Sequence, residues 1–96
     1  MSVGTLGFAS QPLGYQRYTS LSSATNLSSI PTRATMAVIT VKGTAGIRWR
    51  DDGTNPTASV GTPVAAGATF SYTGKLSALS IIEEAASASV NVTYYA

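Results

Sequence analysis

The chain has no cysteine and no histidine. The first absence removes disulfides and thiolate metal sites; the second removes the commonest metal ligand and the commonest general base. Composition therefore excludes a Ser-His-Asp or Cys-His catalytic arrangement, and a zinc or haem site has no ligands to build it. Charge is also scarce, with six basic and four acidic residues among 96 and a net charge of +2. The acids are confined to Asp51-Asp52 and Glu83-Glu84, each pair adjacent in sequence. Neighbouring strand residues point to opposite faces, so neither pair offers one cleft the two carboxylates of a glycosidase. We expect no enzyme, no metal and no cofactor. Asp51, Asp52 and the carbonyls near Thr54 supply oxygen atoms, but the Asp-x-Asp-x-Asp spacing of a calcium loop is missing.

Other absences bound the setting. No apolar run approaches the ~20 residues of a membrane span. The first basic residue is Arg17 and no charged-then-apolar leader precedes it, so a cytosolic site of synthesis is expected. Of the bases only Arg48 and Arg50 are close in sequence, and Asp51-Asp52 blunts their field; direct nucleic-acid binding is not expected. A chain of this length buries a limited share of its surface. Without disulfides or metals, extra stability is expected from oligomerisation or from docking onto a larger assembly.

What is present is concentrated in Ile47-Arg48-Trp49-Arg50-Asp51-Asp52-Gly53-Thr54-Asn55-Pro56-Thr57, which holds the single Trp, two bases and two acids. Alternation puts Ile47 and Trp49 on one strand face and Arg48 and Arg50 on the other. Trp49 reads as a core anchor. Asp51-Asp52-Gly53 reads as a turn, with Gly53 supplying positive φ, Asp side chains bonding the following backbone or a neighbouring Arg, and Pro56 opening the next loop. The outward guanidinium forks of Arg48 and Arg50 suit bidentate recognition of a carboxylate on a neighbouring subunit.

The rest of the chain divides at residue 33. Residues 1–33 are rich in Ser, Thr and Gly without periodic apolar spacing, and read as an extended N-terminal arm. Its Leu13, Tyr15, Arg17 and Tyr18 are the expected points of contact with a partner. From Ala34 to Ala96 the pattern is that of a β-domain. Met36 to Val41 reads as a strand, with Gly46 to Arg50 returning as its hairpin mate. Ala68 to Tyr72 alternates with Phe70 and Tyr72 on one face. Leu76 to Ala88 reads as a further strand, although Leu76, Leu79, Ile82, Glu83 and Ala86 also fit helical spacing. Ala88 to Tyr95 closes the chain with Val90, Val92 and Tyr94 on one face, leaving Tyr95 outward for a partner. Short strands between Gly- and Pro-bearing turns predict an all-β fold, a small antiparallel β-sandwich or jelly-roll-like barrel.

Five stretches carry a resemblance. They are Leu13-Gly14-Tyr15-Gln16, then Arg48-Trp49-Arg50-Asp51-Asp52-Gly53-Thr54-Asn55-Pro56-Thr57-Ala58-Ser59-Val60-Gly61, Ala66-Gly67, Tyr72-Thr73-Gly74-Lys75-Leu76-Ser77-Ala78-Leu79, and the closing Val90-Asn91-Val92-Thr93-Tyr94-Tyr95. The chain resembles a family of small virion structural proteins of tailed bacteriophages and prophages. The resemblance implies a virion setting, in which such proteins serve as capsid decoration (cement) proteins, head fibres or tail components; the leading expectation is a decoration protein made in the host bacterial cytoplasm and carried on the outer capsid surface. Its implied partners are the major capsid protein and other copies of itself, as a dimer or trimer. A head-fibre or tail module contacting host glycan, and a non-virion regulator of the host cell, are the alternatives.

Overall fold

Two strands, Met36–Gly43 and Ala88–Tyr95, run side by side through the middle of one sheet in the computed structural model, which describes residues 11–96. Each alternates strictly. Ala37, Ile39 and Val41 on the first, with Ala88, Val90, Val92 and Tyr94 on the second, are buried. Their intervening residues are polar or half-buried. Period-two burial of β-branched residues is what a sheet with one core face and one outer face requires.

Among the described residues there are eight strands: β1 (Pro12–Tyr18), β2 (Thr25–Asn26), β3 (Met36–Gly43), β4 (Ile47–Arg50), β5 (Thr62–Val64), β6 (Thr69–Tyr72), β7 (Ser80–Glu83) and β8 (Ala88–Tyr95). They form two antiparallel four-stranded sheets with strand orders β1-β8-β3-β6 and β2-β7-β4-β5. Every consecutive connection except β4–β5 passes from one sheet to the other. This connectivity is the jelly roll, two Greek keys folded into a sandwich. Its core joins the inner residues of both sheets, with Ile47 and Ile81 from the second facing Ile39, Val41, Val90 and Val92 of the first.

Two expectations are corrected here. The first is the hairpin of β3 with β4, which does not exist: β3 pairs with β6 and β8, and β4 with β5 and β7. At Gly43 the backbone turns to φ +97°, and a Cβ there would sit 2.0 Å from the carbonyl oxygen of Ser87. A residue with a side chain could not make that close approach, so glycine lets β3 end and the chain cross to the other sheet.

The second is the division at residue 33. Residues 11–33 belong to the sandwich, while residues 1–10 lie outside the described residues. β1 pairs with β8 from Pro12 opposite Tyr95 to Tyr18 opposite Val90. Leu21 and Leu27 are buried in the core. The Leu21 carbonyl accepts from the Glu83 amide at 2.9 Å, and the Leu27 amide donates to the Leu79 carbonyl at 3.2 Å. Backbone pairing of this kind was invisible to an apolar-periodicity test because β2 is only two residues long. The Leu76–Glu83 segment divides as well. Leu76–Ala78 forms one 3-10 turn, and β7 begins at Ser80.

Candidate functional site

Trp49 lies on β4 with its ring turned between the sheets. It stacks on Phe70 of β6, with centroids 6.1 Å apart and planes 8° from parallel. It meets Tyr72 edge-on, at 5.7 Å and 70°. Both geometries are favoured for aromatic pairs because they offset the like-signed ring faces. Phe70 and Tyr72 reach Trp49 together because alternation on β6 puts both on its inner face.

The strand's period continues past its end. Arg50 and Asp52 lie on one side and Asp51 on the other. The Tyr72 hydroxyl donates to Asp51 Oδ2 at 2.6 Å. Burial, followed by that bond, pushes the Tyr72 phenol up to about 12. On the outer side Arg50 Nε donates to Asp52 Oδ1 at 3.0 Å, and its Nη2 donates to the second carboxylate oxygen. The hydrogen bonds from Arg50 hold the Asp52 carboxyl below the usual carboxylate range. Arg48 is also engaged. Its Nε donates to Glu84 Oε2 at 2.9 Å and its Nη1 to the Gly61 carbonyl at 3.1 Å, with the side chain only 25% exposed.

The expectation that Arg48 and Arg50 present free forks to a neighbouring subunit is thus corrected. Both forks hold the chain's own carboxylates. Arg48 joins β4, the connection 51–61 and the turn after β7. Asp51-Asp52-Gly53 is a turn, with Gly53 at φ +87°, but it opens a long connection rather than a tight hairpin. Pro56, within that connection, is buried. Trp49, Arg50, Asp51, Asp52, Val60, Gly61 and Thr62 line an open cleft of about 440 Å³. Val60, half exposed, is one apolar wall. Among the described residues no three acidic side chains converge as a metal site.

The residues of the expected arm separate into two groups. Tyr15 and Arg17 lie on the outer face of β1, and Tyr15 is 60% exposed. Tyr18 is turned inward, a correction to its expected partner-facing role. Its hydroxyl donates to Gln16 Oε1 at 2.7 Å and accepts from the Ser28 amide at 3.0 Å. The same Gln16 oxygen accepts from Tyr94 at 2.6 Å, so one carbonyl binds β1 to the centre of its sheet. Leu13 packs on the core edge and is only partly available. Tyr95 lies on the outer face opposite Met36.

Sequence reasoning missed Glu84, Gln16 and Asn91. Glu84 is distant in the chain from Arg48, and nothing local marks it. Asn91 accepts a hydrogen bond from the Tyr15 hydroxyl. That pair becomes visible only when β8 is known to lie beside β1. Compared with family models, with curated proteins and with solved structures, the chain matches none.

Proposed function

We propose that this protein is a structural component of a tailed-phage virion that decorates the outer capsid surface. In this reading it binds the major capsid protein, adds contacts between lattice subunits and works as a dimer or trimer, without catalysis. The observation that supports it best is the jelly-roll connectivity, an architecture that recurs in viral capsid domains. Fold alone does not choose a function. The resemblance of the Leu13–Gln16, Arg48–Gly61 and Val90–Tyr95 stretches to phage virion proteins adds the setting.

Copy number tests the reading. Particles from a host carrying the gene are purified, and the protein is quantified against the major capsid protein by mass spectrometry. Decoration requires a number set by the lattice symmetry. Finding a handful of copies, at one vertex or the tail, eliminates it.

The cleft beside Trp49 supports a second reading, a head-fibre or tail module that contacts host glycan. It is lined by the indole of Trp49 and by polar groups from Arg50 and Asp52. Titrating host polysaccharide while following Trp49 fluorescence separates the two. An unchanged spectrum removes the glycan reading.

A further inference from the structure

All four acidic side chains lie on or after strands of the β2-β7-β4-β5 sheet, and each has an intramolecular hydrogen-bond partner. Glu84 holds Arg48, Asp52 holds Arg50, Asp51 accepts from Tyr72, and Glu83 accepts from the Ala88 amide. Among the described residues the remaining bases, Arg17, Arg33, Lys42 and Lys75, make no ion pair. Two carboxylates, Asp51 and Glu83, have no basic partner, and both lie on or just after strands of the β2-β7-β4-β5 sheet.

Two of those bases share one face. Arg17 stands opposite Asn91, and Lys42 opposite Ser89, on either side of β8. Two inter-strand steps and one two-residue step separate them, roughly 12 Å at Cα. That outer face of the β1-β8-β3-β6 sheet carries no acid. It also carries Tyr15, Met36, Val38 and Tyr95. Tyr15 is tied down through its hydroxyl to Asn91, and Thr40 to Thr69 across the strands at 3.0 Å. Tied side chains lose less freedom on binding than mobile ones.

We propose that this sheet face docks an acidic surface of a different protein, with Arg17 and Lys42 as its charge anchors and Tyr15, Met36, Val38 and Tyr95 as its contact area. The proposal deepens the attachment reading above, and rests on it for the existence of a partner. Charge complementarity selects the occupant. A second copy docked face to face sets cations against cations with no acid between them, a repulsive arrangement in a two-fold contact. Two cations on one acid-free face are complementary to a partner surface that presents more than one acid. Tyr, Met and Arg with few acids is the composition of a protein contact. Neither the cleft beside Trp49 nor a second one lined by Ile30, Thr35, Gly74 and Leu76 includes these residues, which disfavours a small ligand.

The test uses the full chain, labelled with 15N, and poly-L-glutamate as the acidic probe at low salt. The expected result is a set of amide shifts confined to residues near Arg17, Asn91 and Lys42, fading as salt rises. Arg17→Glu with Lys42→Glu is expected to weaken binding at least about tenfold, near 1.4 kcal/mol. Arg17→Gln with Lys42→Gln gives a smaller loss in the same direction, and guards against a folding defect in the reversed variant. Lys75→Glu leaves binding within about twofold. Shifts centred on Lys75, Arg33 or Arg50 overturn the proposal. So does equal binding of duplex DNA or dextran sulfate with the same map, which marks a generic polyanion site. A concentration-dependent dimer in sedimentation that Arg17→Glu abolishes overturns it in favour of a second copy. No virion enters this titration, so its failure and that of the copy-number test are told apart.

Discussion

The indole of Trp49 in one sheet lies nearly parallel to the ring of Phe70 in the other, 6.1 Å away. This contact joins the sheets toward the side where β5 and β6 form the edges, with Phe70 the register partner of Ile39 on β3. Trp49 is therefore a packing residue that also lines a cleft. The two roles separate experimentally. Trp49→Ala is expected to cost about 3 kcal/mol, the low end for removing a large aromatic, since the ring is only partly buried. Trp49→Phe costs less because it keeps the stack with Phe70. Urea unfolding of both variants measures the difference; equal losses would mean that the stack contributes nothing.

Arg48 and Arg50 are expected to behave differently despite their shared strand face. Arg48→Ala breaks a half-buried pair with Glu84 and frees the Gly61 carbonyl, at about 1 kcal/mol. Arg48→Lys restores little, because one ammonium does not reproduce the two-directional fork. Arg50→Ala removes a solvent-exposed pair within one turn, and no change in melting temperature is expected. Thermal melts of the three variants decide this, with hydrogen exchange at Val60 and Gly61 reporting loosening of the connection in the Arg48 variants only.

Tyr72 predicts an alkaline limit. Its phenol titrates near 10 in the unfolded chain and at about 12 in the folded one. The unfolded chain releases its proton first, so the stabilisation is complete below pH 10 and declines as pH rises toward 12. Tyr72→Phe is expected to lower stability by about 1 kcal/mol at neutral pH through loss of the Asp51 bond. The same change makes stability less steep above pH 10. Some slope remains, because burial and then the neighbouring Tyr18 also push Tyr94 up. Guanidinium midpoints across that range check both effects.

Gly53 sits at φ +87° with no atom within 4 Å of where a Cβ would be. Space is not the constraint; backbone conformation is. Gly53→Val is expected to destabilise by about 1–3 kcal/mol, and Gly53→Asn by less, since Asn visits the left-handed region more readily. Equal melting temperatures for the two variants would show that the turn relaxes to negative φ.

The strands and their buried faces were legible in the sequence because alternation is a local property. Val90, Val92 and Tyr94 announce an inner face, and Ile47 with Trp49 another. Composition also settled that His- and Cys-based chemistry is absent. Which strands pair was not legible. An alternating strand reads the same beside any neighbour, so proximity in the chain suggested a β3–β4 hairpin where the jelly roll places these strands in different sheets. Residues 11–33 looked like an arm because β1 draws its stability from β8, at the other end of the chain, and not from its own pattern. Tertiary structure likewise decided the fate of the charges around Trp49. The sequence determined that Arg48 and Arg50 leave the strand on the side away from Ile47. Only folding brought Glu84 to Arg48 and closed Asp52 onto Arg50, since an ion pair depends on where two side chains meet in space. That left Arg17, an expected contact from the start, and Lys42, unremarkable in sequence, as the cations of an acid-free sheet face.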